Sequence, residues 1–212
     1  MREIKQKKKA PVGAISRRGL LTSAAFVPVA ALVRPGAAEA QNPGGGLSSL
    51  DRAARETLAA FVDRIVPRDE SGPGAVECGV VDYIEKSLGE FLMPERAALV
   101  KALGEIEAYA VKAQGGAFRS LDAEKRDAVI AAMENNEATG IEPDGRTVFL
   151  RLRQLTVEGM FSDPYYGGNK AFAGWDLLRY PGARLAAAPE DQKVKEMPKA
   201  VRRSAYGVKY GN

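Results

Sequence analysis

The 212 residues contain no histidine and a single cysteine, Cys78. The first absence removes a serine–histidine dyad, an imidazole-ligated metal site and a haem with an axial histidine. The second removes intrachain disulfides, iron–sulfur clusters held by this chain and covalent haem attachment. Nucleotide cradles are missing as well: no GxGxxG follows a strand-like run, and no GxxxxGK[ST] occurs. Acids are plentiful, so paired carboxylates stay available for acid–base work. They fall mostly on polar helix faces, where solvated charge explains them. Any redox chemistry therefore has to sit on a partner.

What is present fits one globular domain that buries a core, with 45% apolar and 27% charged residues. A sequence pI near 9.1 invites a nucleic-acid reading. The charge, however, is concentrated at one end. Residues 1–40 carry eight basic side chains against two acidic ones, a net of +6; the whole chain carries +4, which leaves −2 for residues 41–212. Once that end is removed, the case for a phosphate-binding surface goes with it, and no nucleic acid is expected as a partner.

The same end has the layout of an export signal. A basic stretch, MREIKQKKK, leads to Ser16, Arg17, Arg18 and Gly19, and then to a mildly apolar run over residues 20–33. That run of 14 residues is too short to span a bilayer, which takes about 20. Ala38 and Ala40 supply the small-x-small pattern of a cleavage site, with the cut after Ala40. Paired arginines, modest hydrophobicity and Arg34 before the cut resemble a twin-arginine signal, the route that carries folded proteins. The predicted organisation is a signal over residues 1–40, a flexible linker QNPGGGL over 41–47, a helical domain over 48–183 and a polar tail over 184–212.

The domain reads as all-α, with about five helices. Ser48 or Ser49 can cap a first helix carrying Leu50, Leu58, Phe61, Val62 and Ile65, which Pro67 stops. A second carries Val80, Val81, Ile84 and Leu88. Pro94 suits the first turn of a third, with Leu99, Leu103 and Ile106 on one face and Gly115–Gly116 closing it. Asp122 caps a fourth and Asp144 a fifth, the last running through Phe149 and Leu152 toward Phe161. No stretch alternates at period two. The tail either lacks order or lies over a partner.

Two loops invite chemistry. In RDESGPG, residues 68–74, the acids could pair or hold a cation, but turn and cap roles explain them better. The second is FSDPYYGGN, residues 161–169. Pro164 forces Asp163 toward an extended conformation and ends the preceding helix. Asp163 can accept from backbone N–H groups just after it, and Asn169 tolerates the left-handed region. The loop is a self-braced turn, a docking surface or a substrate-binding loop, the last with nothing nearby to do chemistry on a bound molecule; the docking reading takes Asp163, Pro164, Tyr165, Tyr166, Asn169 and the nearby Trp175 as interface residues. Cys78 reads as a small core residue, with an intermolecular disulfide as the alternative.

Several stretches carry a family resemblance. FVDRIVPRDESGPGAVECGVVDYIE (61–85), TVFLRLRQLTVEGMFSDPYYGGN (147–169) and GWDLLRYPG (174–182), together with the signal, resemble the gluconate 2-dehydrogenase subunit 3 family. Where its members often carry a glycine before the YPG-like turn, this chain has Arg179. The resemblance implies a small, non-catalytic subunit without catalytic, cofactor-binding or metal-binding residues of its own. It implies a large FAD-dependent dehydrogenase subunit as partner, with a multihaem cytochrome c or an iron–sulfur cluster further along the electron path. It also implies use of the twin-arginine translocase and a place in the periplasm, membrane-associated through partner subunits. From the residues alone two other classes stay open: a free-standing periplasmic enzyme using carboxylate acid–base catalysis, and a periplasmic binding or scaffold protein.

The signal reading makes a direct prediction. Replacing both Arg17 and Arg18 by lysine leaves the chain in the cytoplasm with its signal uncut, as read by fractionation and the mass of the product. Unchanged export would assign the segment to the general secretory route.

Overall fold

Apolar residues spaced three and four apart become α-helices in the computed structural model, which describes residues 49–184, 186, 189–192 and 200–207. The signal with Arg17, Arg18, Ala38 and Ala40, the linker over 41–47, and Ser48 lie outside the described residues. Six helices follow in order: α1 (Arg52–Ile65), α2 (Val80–Gly89), α3 (Arg96–Gln114), α4 (Ala123–Glu134), α5 (Gly145–Phe161) and α6 (Ala173–Leu178). No strand occurs among the described residues, so the fold is all-α as the periodicity predicts.

The helix starts follow carboxylate chemistry. Asp51, Asp122 and Asp144 each accept a hydrogen bond from the backbone N–H three residues on, at 2.7, 2.9 and 2.9 Å. They satisfy donors that a first turn otherwise leaves exposed. For α1 this corrects the expected serine cap. Ser49 is buried and donates instead to the carbonyl of Glu85 at 2.6 Å, and Asp51, placed three residues before Ala54, takes the cap. Pro94 also sits differently from the prediction. It lies in a 3-10 turn, Met93–Glu95, that leads into α3. At the other end α3 stops at Gly115, whose φ of 76° is the left-handed conformation glycine adopts freely.

α1 touches each of the other long helices, and α5 packs between α2 and α4. The core therefore lies along α1 and α5. Leu58, Phe61 and Val62 of α1 meet Phe149, Leu152 and Leu155 of α5 in one buried cluster, to which Phe118 adds a ring 6.2 Å from that of Phe61. Among the described residues no helix is long and apolar enough to cross a membrane.

The RDESGPG loop is held by its own groups. Asp69 and Gly72 exchange backbone hydrogen bonds at 3.3 and 3.1 Å, and the Asp69 carboxylate accepts from the Ser71 N–H at 2.7 Å. Glu77 accepts from the Gly74 N–H at 2.6 Å and pairs with Arg68 at 2.5 Å. Asp69 is thus a turn residue, and the acid that caps the Gly74 N–H is Glu77, three residues beyond the loop. Cys78, which follows, is fully buried, as a core residue should be and a surface disulfide partner cannot be.

Candidate functional site

The last turn of α5 feeds directly into FSDPYYGGN. Ser162 caps the helix through its N–H to the Glu158 carbonyl at 2.8 Å. Asp163 is extended, as the following proline requires, and its Oδ1 accepts from the Tyr165 N–H at 2.9 Å. A single 3-10 turn over Pro164–Tyr166 ends at Gly167, with φ 98°. The chain then doubles back against α5 so tightly that a Cβ on Gly168 would stand 2.2 Å from the Gly159 carbonyl oxygen. No residue but glycine fits there. Asn169 N–H closes the reversal onto the same carbonyl at 2.8 Å, and Lys170 N–H bonds the Cys78 carbonyl at 3.0 Å.

Asn169 is completely buried and sits in the left-handed region, φ 45°. Its Nδ2 donates to the Ser162 carbonyl at 2.9 Å, while its Oδ1 accepts from Gly174 N–H at 2.8 Å and Trp175 N–H at 3.3 Å. Those two N–H groups are the second and third of α6. Asn169 thus does for α6 what a cap normally does, from outside the cap position. The short helix was not predicted, because six residues are too few to show a period. Trp175 is buried too: its Nε1 donates to the Phe161 carbonyl at 2.9 Å, and its ring packs on Phe172 and Tyr180 at 5.3 and 4.9 Å. Of the predicted interface residues, Pro164, Asn169 and Trp175 are therefore interior, whereas Asp163, Tyr165 and Tyr166 reach the surface.

A charge network fastens the loop to α2. Asp82 accepts from Arg55 at 2.5 Å and from Lys170, and Arg55 also pairs with Glu85. Partial burial pushes the Asp82 carboxyl up, but the hydrogen bonds from Lys170 and Arg55 together outweigh it and hold it below the usual carboxylate range. Nearby, burial first and the Glu158 carboxylate second push the Tyr83 phenol up; the two groups are 3.1 Å apart.

The exposed side of the loop is aromatic. The ring of Tyr165 lies 5.3 Å from that of Tyr166, and Phe91, from the turn after α2, lies 6.5 Å from Tyr166. Lys86 donates to the Tyr165 carbonyl at 2.9 Å with its ammonium 5.1 Å from the Tyr165 ring centre. Tyr206 adds a fourth ring, 4.5 Å from Tyr165. Its hydroxyl is 3.1 Å from that of Tyr166, and this hydrogen bond, ahead of burial, pushes the Tyr166 phenol up to about 12. Sequence reading missed Phe91, Lys86 and Tyr206, which have no local signature and are brought in by the fold. Among the described residues no group of three or more His, Cys, Asp or Glu side chains could hold a metal ion.

The geometry is thus a braced turn with an aromatic outer face. The sequence pattern of gluconate 2-dehydrogenase subunit 3 fits residues 52–182, from the first residue of α1 to the glycine beyond α6. The chain belongs to the gluconate 2-dehydrogenase subunit 3 family. No curated protein and no solved structure matches it significantly. The subunit 3 region includes the whole FSDPYYGGN loop and Trp175, while residues 200–207, which bring Tyr206, lie beyond it.

Two predictions follow from this geometry. Asn169→Ala removes three hydrogen bonds, two of them buried, and should destabilise the domain by about 3 kcal/mol, at roughly 1 kcal/mol for each bond. Urea unfolding reads the loss, and a change under about 1 kcal/mol would refute the bracing role. The second concerns acid. A depressed carboxyl stabilises the fold above its ordinary pKa, about 3.9, and the contribution is lost as pH falls through the folded-state value. Asp82→Asn should therefore lower the urea midpoint at pH 6 and flatten its decline toward pH 3. Parallel declines in the two proteins would show that Asp82 does not contribute to acid sensitivity.

Proposed function

We propose that this chain is the non-catalytic small subunit of an FAD-dependent gluconate, sugar or alcohol dehydrogenase complex, and that it escorts the folded flavoprotein through twin-arginine export. The observation that carries the proposal is the family match over residues 52–182 in a chain without histidine. A subunit of a dehydrogenase that lacks the usual proton carrier, and whose one cysteine is buried, contributes binding and not turnover.

The division of labour has a physical basis. FAD is bound by a folded protein, so a loaded flavoprotein must cross the membrane folded. Without a signal of its own it can do so only on a partner that has one. Arg17 and Arg18 supply that signal, Ala38 and Ala40 its cleavage site, and the helical domain supplies the grip. The surface offered for gripping is the aromatic face of Tyr165, Tyr166 and Phe91, because rigid rings lose little freedom when buried at an interface. Electrons from the flavin then pass to a cytochrome c or an iron–sulfur partner, and the assembled complex works in the periplasm at the membrane.

Co-expression tests this directly. Produced with this chain, the flavoprotein should appear in the periplasm loaded with FAD and active; produced alone, it should stay in the cytoplasm. A flavoprotein that reaches the periplasm loaded without this chain would end the escort reading. Turnover of a sugar by the purified small subunit would replace it with the carboxylate-enzyme alternative.

A further inference from the structure

Across the outer side of FSDPYYGGN lies a second segment of the same chain. Val201 N–H bonds the Pro181 carbonyl at 2.7 Å, Arg202 pairs with Asp176 at 2.6 Å, and Ala205 N–H donates to Asp163 Oδ2 at 2.7 Å. Tyr206 then stacks on Tyr165 and meets the Tyr166 hydroxyl. The seat is shaped for close contact, since a Cβ on Gly182 would stand 2.0 Å from the Val201 carbonyl oxygen.

Three observations mark this segment as a separable occupant of the face. It lies outside the family region, whereas its seat, Asp163 to Gly182, lies within it. Its anchoring is divided: Val201 and Ala205 donate through backbone N–H groups and Ser204 is buried, whereas Tyr206 is 59% exposed and the Arg202–Asp176 side chains are 57% and 41% exposed. The exposed pair and ring contacts are of the kind that holds weakly, so the cation and the aromatic ring are the parts of the segment that open first. Finally, its chemistry is complementary to what it covers. Without it, two carboxylates and two tyrosine rings would face outward together, a surface that suits an extended segment bearing a cation and an aromatic ring.

We propose that Asp163, Tyr165, Tyr166 and Asp176 form a peptide-docking face for a flavoprotein segment that carries a cation and, four residues on, an aromatic ring, and that residues 201–206 occupy this face as an intramolecular competitor. The identity of the partner rests on the escort reading; the face and its self-occupation do not. The tail keeps the rings covered while the subunit is alone and yields when the flavoprotein supplies a segment that binds better. A competitor that occupies the face about nine-tenths of the time raises the apparent Kd of the partner roughly tenfold.

The test uses the full chain with both Arg202→Ala and Tyr206→Ala, exposed positions whose loss leaves the helical core intact, as a far-UV spectrum will confirm. A labelled peptide of residues 200–207, AVRRSAYG, should saturate this variant with a Kd on the order of 0.1–1 mM, since a tethered segment works at millimolar effective concentration. The unchanged chain should bind it roughly tenfold more weakly. Adding Asp163→Asn and Asp176→Asn should abolish binding. Equal binding to the variant and the unchanged chain, or none to the variant up to about 5 mM, would overturn the docking face. With purified flavoprotein, the R202A/Y206A chain should bind roughly tenfold tighter than the unchanged chain. Equal or weaker binding would overturn the competitor role. If neither form binds the flavoprotein, the escort reading falls, while the peptide titration still decides the face.

Discussion

The buried side chain of Asn169 is the contact on which the functional end of the molecule depends. It bonds at once to the end of α5, through the Ser162 carbonyl, and to the start of α6, through the Gly174 and Trp175 N–H groups. In doing so it satisfies four otherwise stranded groups: its own amide and three backbone groups. A buried polar group left unpaired costs more than a hydrogen bond gains, so this arrangement is all or nothing. The backbone has to cooperate. Gly168 lets the chain pass the Gly159 carbonyl, and Gly174 lets α6 begin where a Cβ would stand 1.8 Å from the Met160 carbonyl oxygen. The left-handed conformation at Asn169 is one that asparagine tolerates better than most residues.

The exposed face is a consequence of that brace. With the return stroke pinned to α5 and to the Cys78 carbonyl, and Lys170 tied to Asp82, the Pro164–Tyr166 turn has nowhere to go but outward. Tyr165 and Tyr166 are thus displayed by a segment whose backbone is already ordered. Ordering of that kind is part of the cost of association that a mobile loop would still have to meet on binding. The structural and docking readings of FSDPYYGGN are therefore not rivals. The interior half of the loop, Pro164 and Asn169 with Trp175 behind them, fixes the shape that the exterior half presents.

Much of this was legible in the sequence wherever the physics is local. Asp122 and Asp144 cap the helices they were expected to cap, Asp163 bonds the N–H groups after it, and Cys78 is interior. What escaped reading depends on distant partners. Ser49 loses the cap of α1 because a carbonyl on α2 takes its hydroxyl. α6 exists because Asn169 and Trp175 reach back to α5, not because its six residues favour a helix. The pairing of Tyr206 with Tyr166 spans 40 residues and leaves no trace in either stretch. Arg179 is an instructive middle case. Its φ of 54° is the left-handed end of α6, where a glycine would sit without strain. The position holds its conformation at a cost on the order of 1 kcal/mol.

The composition and the fold also bear jointly on the route proposed for this chain. A protein exported folded must reach its final structure in the reducing cytoplasm and keep it in an oxidising compartment. A fold that needed a disulfide would be incomplete at the moment of export, and one with an exposed thiol would be open to mispairing afterwards. Here a single cysteine rules out the first, and its complete burial beside the start of α2 guards against the second. Stability comes instead from the α1–α5 core, from carboxylate caps and from the Asn169 brace, none of which senses redox state. The fold therefore does not depend on the redox setting, as the proposed escort role requires.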